Sequence, residues 1–474
     1  MLQTHEHSPP DAATAPRPAS TVTLWLAAAV SALGGLLFGY DWVVIGGAKP
    51  FYEAWFGLVT PEAQAWAVSC ALIGCLVGAI GSGVISERLG RRRGLLIAAA
   101  IFAVSALGTA WAHSIDAFVA WRIVGGVAIG LASGLSPVYI AEIAPAAIRG
   151  RMVCLNQIAI VLGILGAQVA NWLIAEPVPA GFGAAQIAAS WNGTDGWRWM
   201  FAAAAAPALA FLAGCFLIPE SPRWLAARGD WDGVTRALRR LGGARYADDA
   251  APAIRASLEK SGGRSLAEVL KEPRFVRVLA VGVVLAVLQQ WCGINVIFNY
   301  AQEIFASAGY AVSDTLFNIV ITGVVNCVFT LVALDTVERW GRRRLMLLGC
   351  AGLAVIYVLL GACYLAGWQG WPLLLLVVLA IACYAMTLAP VTWVALSEIF
   401  PNEARGACMA VATTALWAAC FLLTYSFPLI NRAMGTGLTF WGYALVCVAG
   451  FVFVFRRLPE TRGKSLEEIE RGWK

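Results

Sequence analysis

Glu87-Arg88-Leu89-Gly90-Arg91-Arg92 returns as Glu338-Arg339-Trp340-Gly341-Arg342-Arg343, 251 residues further along the chain. Two more stretches repeat in the same order. Glu142-Ile143-x-Pro145-x-x-x-Arg149-Gly150 comes back as Glu398-Ile399-x-Pro401-x-x-x-Arg405-Gly406 after 256 residues, and Pro219-Glu220-Ser221 as Pro459-Glu460-Thr461 after 240. Each copy sits at the equivalent point of a unit of six apolar stretches, so the chain reads as one unit used twice in parallel. Parallel repeats of six membrane helices are a recognised architecture, with the working site near the bilayer midplane between the copies.

Composition agrees with a membrane setting. Of 474 residues, 60% are hydrophobic and 13% charged, against about 25% charged in a soluble domain. Twelve stretches are long enough to cross about 30 Å of hydrocarbon at about 1.5 Å per residue. They are 22–46, 65–86, 94–112, 117–141, 152–175, 197–218, 275–300, 316–337, 345–366, 372–397, 407–430 and 437–456. Lipid leaves no water to satisfy backbone groups, so each is expected to be helical. The fold class is therefore an all-α integral membrane protein with twelve transmembrane helices in two six-helix pseudo-repeats.

Basic residues set the expected orientation. Segments 87–93, 149–151, 219–277, 338–344, 405 and 456–474 hold 29 of the 34 Lys and Arg, all on one side of a twelve-span chain. Arg17 joins them; Lys49, Arg198 and Arg432 fall in opposite loops, and Arg122 alone lies inside a span. The positive-inside rule then places both termini in the cytoplasm, and the setting is the cytoplasmic (inner) membrane. This bias accounts for the net charge of +6, so nucleic acid is not an expected partner. Residues 1–20 read as a disordered cytoplasmic tail rather than a cleaved signal. They precede a six-helix bundle (21–218), a cytoplasmic helical linker (219–274), a second bundle (275–457) and a tail (458–474). In the linker, Asp230 is placed to cap a helix bearing Trp231, Val234, Leu238 and Leu241. That linker is either a set of surface helices or a latch on the inner mouth. The twelve cysteines lie singly in or beside spans and read as packing residues. Asn192-Gly193-Thr194 fits a glycosylation sequon. No nucleophile–base set, metal cluster or phosphate loop is present, so no enzyme activity, catalytic residue, metal or cofactor is expected.

Four motifs carry a family resemblance. They are Arg122-Ile-Val-Gly-Gly126-x-x-x-Gly130 leading to Tyr139, Glu142 and Arg149; Pro219-Glu-Ser-Pro-Arg223-Trp-Leu; Gln289-Gln290-x-x-Gly293-Ile-Asn295; and Pro459-Glu-Thr-Arg-Gly463. In this order and spacing the chain resembles the sugar porter family of the major facilitator superfamily over nearly its whole length after residue 20. The resemblance implies the major facilitator fold, alternating access, and a sugar as substrate, with proton-coupled members and facilitative carriers both inside the family.

Asp41 and Arg122 are charges inside predicted spans 1 and 4, each about five residues from the outer end. An ionisable residue in hydrocarbon costs about 2.5–3.5 kcal/mol on insertion scales and marks a functional site by default. The pair reads either as a structural lock between two helices or as a proton switch, since Arg favours the ionised Asp and apolar surroundings the protonated one. The resemblance favours the switch, because proton-coupled members tend to carry Asp here. One departure stands against it: where the xylose symporters have a Glu early in span 6, this chain has Ala204. Gln289, Gln290 and Asn295 put three amides on about two turns broken by Gly293. Amides donate and accept, which is what sugar hydroxyls require; they can equally bond neighbouring helices. Gln157, Asn326 and Trp393 match further sugar-contacting positions of the family, and Phe38 and Trp417 are candidate cavity walls. Ile164 and Leu416 replace amides and Asn299 an aromatic, so xylose itself is not assumed.

Arg91, Glu142, Arg149, Glu220, Glu338, Arg342, Glu398 and Arg405 gather at the inner ends of the spans and are expected to act as a cytoplasmic gate. Exposed ion pairs are worth only about 0–1 kcal/mol each, which suits contacts that must open. The expected function is import of a monosaccharide, an aldohexose or aldopentose such as glucose or xylose, by proton symport. The expected partners are the sugar, the proton and the lipid bilayer, with the chain working as a monomer. A facilitative uniporter, a membrane sugar sensor and a drug–proton antiporter are the competing readings.

Overall fold

The computed structural model describes residues 22–145, 148–179, 181–259, 266–401, 404–462 and 468–469. The expected tail over 1–20 and the end of the chain from 470 lie outside the described residues. In the first half run α1 (Val22–Phe56), α2 (Pro61–Leu89), α3 (Arg91–Ala110), α4 (Ile115–Ile143) and α5 (Arg149–Ile174). A short α6 (Ala184–Ala189) precedes a sixth span made of a π turn (Asn192–Gly196), α7 (Trp197–Ala202) and α8 (Ala205–Leu217). Pro207 cannot donate to the carbonyl four residues back, and the helix duly slackens into a turn at Ala203–Ala204.

Short helices follow: α9 (Pro222–Ala227), α10 (Trp231–Gly242), α11 (Ala244–Glu259) and α12 (Leu266–Val269). Asp230 caps α10 as its position predicts, accepting from the Gly233 N–H at 2.8 Å. Ala226, Val234, Leu238, Tyr246, Ala247 and Ala250 form a small core of their own.

The second half comprises α13 (Pro273–Trp291), α14 (Ile294–Asn299), α15 (Ala301–Ser307), α16 (Val312–Trp340), α17 (Arg342–Leu365), α18 (Trp371–Met386), α19 (Leu388–Ile399) and α20 (Arg405–Arg457). α20 holds two spans, because Gly435 inside it has φ 80° and ψ 163°. Counting them separately gives twelve membrane spans at the predicted places, and the protein is a multi-pass membrane protein. The halves meet where α2 lies on the first part of α20 and α5 on α16. The repeat maps one of these interfaces onto the other, as a twofold relation between parallel copies requires.

Lys49 departs from the sequence reading. α1 continues past residue 46 to Phe56, so Lys49 lies within a helix and is only 2% exposed. Pro50 does not stop the helix, and carboxylates from two helices neutralise the lysine. The asparagine of the sequon triplet is buried. Asn192 is 2% exposed, and its amide bonds the backbone of Glu176 in both directions at 2.8 Å.

Helices without a hydrophobic drive toward one another associate through close van der Waals contact between small residues. A Cβ on Gly126 would stand 2.0 Å from the Ala71 carbonyl oxygen, and one on Gly74 2.0 Å from that of Ile123. Gly163 and Gly39 repeat this between α5 and α1, at 2.0 Å from Leu36 O and 1.9 Å from Ile160 O. Backbone cannot yield as a side chain can, so Gly126→Ala is expected to cost about 1–3 kcal/mol or more. A fluorescence melting curve of the detergent-solubilised protein should fall by several degrees for Gly126→Ala and stay unchanged for Gly81→Ala, which meets open space.

Candidate functional site

α1 and α4 bring Asp41 and Arg122 together. Arg122 Nη1 donates to Asp41 Oδ1 at 2.5 Å, with Asp41 8% and Arg122 4% exposed. The guanidinium lies 5.5 Å from the centre of the Phe201 ring, and its Nε is buried without a hydrogen-bond partner. Ala204 is buried in the same span as Phe201 and offers no second acid. Against the pair lies a cavity with room for about one water, lined by Asp41, Trp42, Ile45, Cys75, Arg122 and, from the second half, Asn299.

The amide motif sits where span 7 breaks. α13 ends at Trp291, Gly293 takes φ +88°, and α14 restarts at Ile294. A Cβ at Gly293 would stand 2.7 Å from the Tyr443 ring, so conformation and space both require glycine. The break turns Asn295 back toward Gln290, to whose Oε1 it donates. Gln289 Nε2 donates to the Ala389 carbonyl at 3.1 Å. Gln289, Gln290 and Asn295 are 3%, 7% and 7% exposed, so the three form one polar cluster in an apolar wall.

Phe38 and Trp417 meet edge to face at 5.6 Å, and Trp42 completes the cluster at 5.9 Å and 6.3 Å. Sequence reasoning named two of these rings. Trp42, one helical turn after Phe38, carried the same signal by spacing. Gln157 is half-buried on α5, Asn326 buried on α16, and Trp393 37% exposed on α19. Among the described residues these three make no hydrogen bond or ring contact with the amide cluster.

At the basic end the sequence repeat becomes a repeated network. Arg91 Nη2 pairs with Glu142 at 2.8 Å, and the N–H groups of Arg91 and Arg92 donate to Glu220 Oε1 at 2.9 and 3.0 Å. Ser221 Oγ donates to the other oxygen of Glu142. In the second half Arg342 pairs with Glu398 at 2.8 Å, its N–H donates to Glu460 Oε1 at 2.9 Å, and Thr461 Oγ1 donates to Glu398 at 2.6 Å. Gly90 and Gly341 have φ +93° and +86°, and a Cβ on either would press into the capping carboxylate. A glutamate from a distant segment therefore caps the helix that follows each glycine, where the helix dipole favours negative charge.

These pairs stay within one half each, tying the ends of spans 2, 3 and 4, or 8, 9 and 10, to the segment after the sixth span. They do not bridge the halves. Arg149 makes no ion pair among the described residues and faces Arg223 and Tyr246; Arg405 donates to the Phe400 carbonyl. The Glu338 side chain lies outside the described residues. The halves are joined instead at the opposite end, where Lys49 of α1 pairs with Glu303 of α15, a contact that treating Lys49 as a loop residue had hidden. Arg342 is 7% exposed, so Arg342→Ala strands Glu398 and should lower the melting temperature by several degrees. Arg344→Ala, at an exposed position, should leave it unchanged.

The family model described as sugar (and other) transporter matches residues 27–473. The D-xylose–proton symporter of Escherichia coli K12 is 38% identical over 480 residues, covering 94% of each chain. The glucose facilitated diffusion protein of Zymomonas mobilis is 33% identical over 468 residues, covering 94% of this chain and 97% of that one. Among solved structures, the partially occluded inward-open form of the xylose transporter XylE from E. coli aligns with a TM-score of 0.82 at 36% identity, over 94% of this chain and 100% of that one. With a matching family model, relatives of more than 30% identity along the whole chain and a shared twelve-span fold, the chain belongs to the sugar transporter family of the major facilitator superfamily.

Proposed function

We propose that this protein imports a monosaccharide, an aldohexose or aldopentose, together with a proton, by alternating access of a site between its two halves. The observation that carries the reading is the buried Asp41–Arg122 pair beside a cavity to which the second half contributes Asn299. A proton arriving at Asp41 cancels the charge that holds Arg122, and an unpaired buried guanidinium is costly. The span 1–span 4 contact then has a reason to rearrange, and the cavity against it transmits the change to the other half. Gln289, Gln290 and Asn295 are the proposed sugar-binding amides, with Gln157, Asn326 and Trp393 as further contacts and Phe38 and Trp417 as the apolar wall. The sugar replaces the bonds the amides make to one another.

The concentration of Lys and Arg at one end supports both termini in the cytoplasm and residence in the inner membrane of a bacterium. The same end carries the two capped networks built on Arg91, Glu142, Glu220, Arg342 and Glu398. We assign them the role of keeping each inner helix set rigid while the halves move, and we assign Arg149 and Arg405 to the gate that forms when the inner side closes. The bilayer and the sugar are the partners in this reading, nucleic acid is not, and a single chain suffices.

A facilitative mode is the second reading, favoured by Ala204, which leaves Arg122 with one acid, and by a relative named for facilitated diffusion. Sugar added to de-energised cells expressing the protein is expected to alkalinise the medium; uptake without a pH change would establish the facilitative mode. Asp41→Asn is expected to abolish accumulation while sparing exchange of labelled for unlabelled sugar, and accumulation that persisted would remove Asp41 from the mechanism. Gln290→Ala removes an amide whose bonds are worth about 0.5–1.5 kcal/mol each, so the sugar KM should rise about tenfold. Competition of labelled glucose uptake by xylose, galactose, arabinose and fructose identifies the substrate.

A further inference from the structure

Lys49, Glu53 and Glu303 form a charged cluster at the end of the molecule opposite the basic networks. Lys49 Nζ pairs with Glu53 one turn later on α1 at 2.8 Å, and with Glu303 across the interface on α15. The lysine side chain is 3% exposed and the glutamates 14% and 30%. α1 and α14 touch here through backbone: a Cβ on Gly46 would come within 2.6 Å of the Phe298 carbonyl oxygen. Two carboxylates thus share one ammonium at a tight junction between the halves, leaving one uncompensated negative charge. Glu303 Oε2 is buried without a hydrogen-bond partner.

The surroundings do not supply the missing positive charge. Tyr52 of α1 is 0% exposed, its hydroxyl has no partner, and it stacks on Phe118 at 5.2 Å. That hydroxyl is within electrostatic reach of Glu53, Glu303 and Tyr300 on one side and Arg122 on the other. Tyr300 lies 5.5 Å from Lys49 Nζ, gives its hydroxyl to the Thr424 carbonyl, and has Tyr443 of α20 behind it. Arg122 of α4 is the cation that reaches Tyr52, and Asp41 already holds it.

We propose that Glu53 and Glu303 form a second proton-binding site, which takes up one proton from the outer solution as the outer side closes. The proton is shared between the two carboxylates, and the cluster becomes neutral. When the halves part on that side, water solvates both carboxylates and the proton leaves. Closure and proton binding are linked: whichever state binds the proton more tightly gains population as the proton concentration rises. The inference rests on alternating access as proposed above, and adds a proton-sensitive latch distinct from Asp41.

Hydrogen–deuterium exchange in lipid nanodiscs tests it without transport. After normalisation for intrinsic exchange, the segments 44–56 and 297–307 of the wild type are expected to become about tenfold more protected from about pH 8.5 to about pH 5.5. Glu303→Gln and Glu53→Gln, each checked for monodispersity, mimic the protonated cluster. They should be protected at both pH values, with less than about twofold difference. Glu62→Gln, which changes an exposed acid at the same end, should keep the tenfold response. Wild-type protection that does not change with pH overturns the proposal on its own. So does a full response retained in either Glu53→Gln or Glu303→Gln, or one abolished by Glu62→Gln, and none of these outcomes bears on whether sugar uptake alkalinises the medium.

Discussion

A charge at the depth of Arg122 cannot be solvated by lipid, and most of what is distinctive in this molecule follows from how that charge is held. Asp41 meets it at 2.5 Å from a neighbouring helix, and each of the two helices that carry the pair packs on bare backbone against another neighbour, α4 on α2 and α1 on α5. Gly74 and Gly126, with Gly39 and Gly163, let carbonyl oxygens of partner helices occupy the space a methyl group would fill. Without the pair the helices would bury an uncompensated ion.

The repeat expresses the same economy at the basic end. A positive-φ glycine starts the loop after span 2 and after span 8, and the next helix exposes its N–H groups there. A carboxylate from the segment after the sixth span of each half fills that position. The arginine one residue on reaches the glutamate that ends span 4 or span 10. In the proposed alternating-access mechanism, such capped junctions would let each half move as a unit. They also explain why the matching residues recur at offsets of 251, 256 and 240 rather than at one value. The loops between the fixed points differ in length, while the points themselves must coincide in space.

The ends of the molecule are unequal. At the basic end the ionic contacts described are internal to each half. At the other end Lys49 and Glu303 cross the interface, Trp172 meets Phe317 at 5.8 Å, and the Val178 N–H donates to Ser313 at 2.9 Å. Side-chain contacts thus join the halves at one mouth, and the capped networks at the other tie each half within itself. That asymmetry agrees with the alignment to a partially occluded inward-open relative.

The sequence by itself determined the class, the number of spans and the duplication, because hydrocarbon imposes length and apolarity on every span locally. It also showed the Asp41–Arg122 pair, since charges in lipid are rare enough to point at one another, and the amide run on span 7. Other features were decided only by tertiary structure. Lys49 read as a loop charge because a lone lysine beside Pro50 signals a helix end; its two acidic partners, one of them 254 residues away, allow the helix to continue. The Asn192 triplet fits a sequon, but a triplet carries no information on burial, and only the fold shows that Asn192 is enclosed. Asn299 could be placed in span 7, but not near the ion pair of the other half. Local rules fix what each segment must be, whereas which side chains meet across the interface depends on how two rigid halves lie against each other.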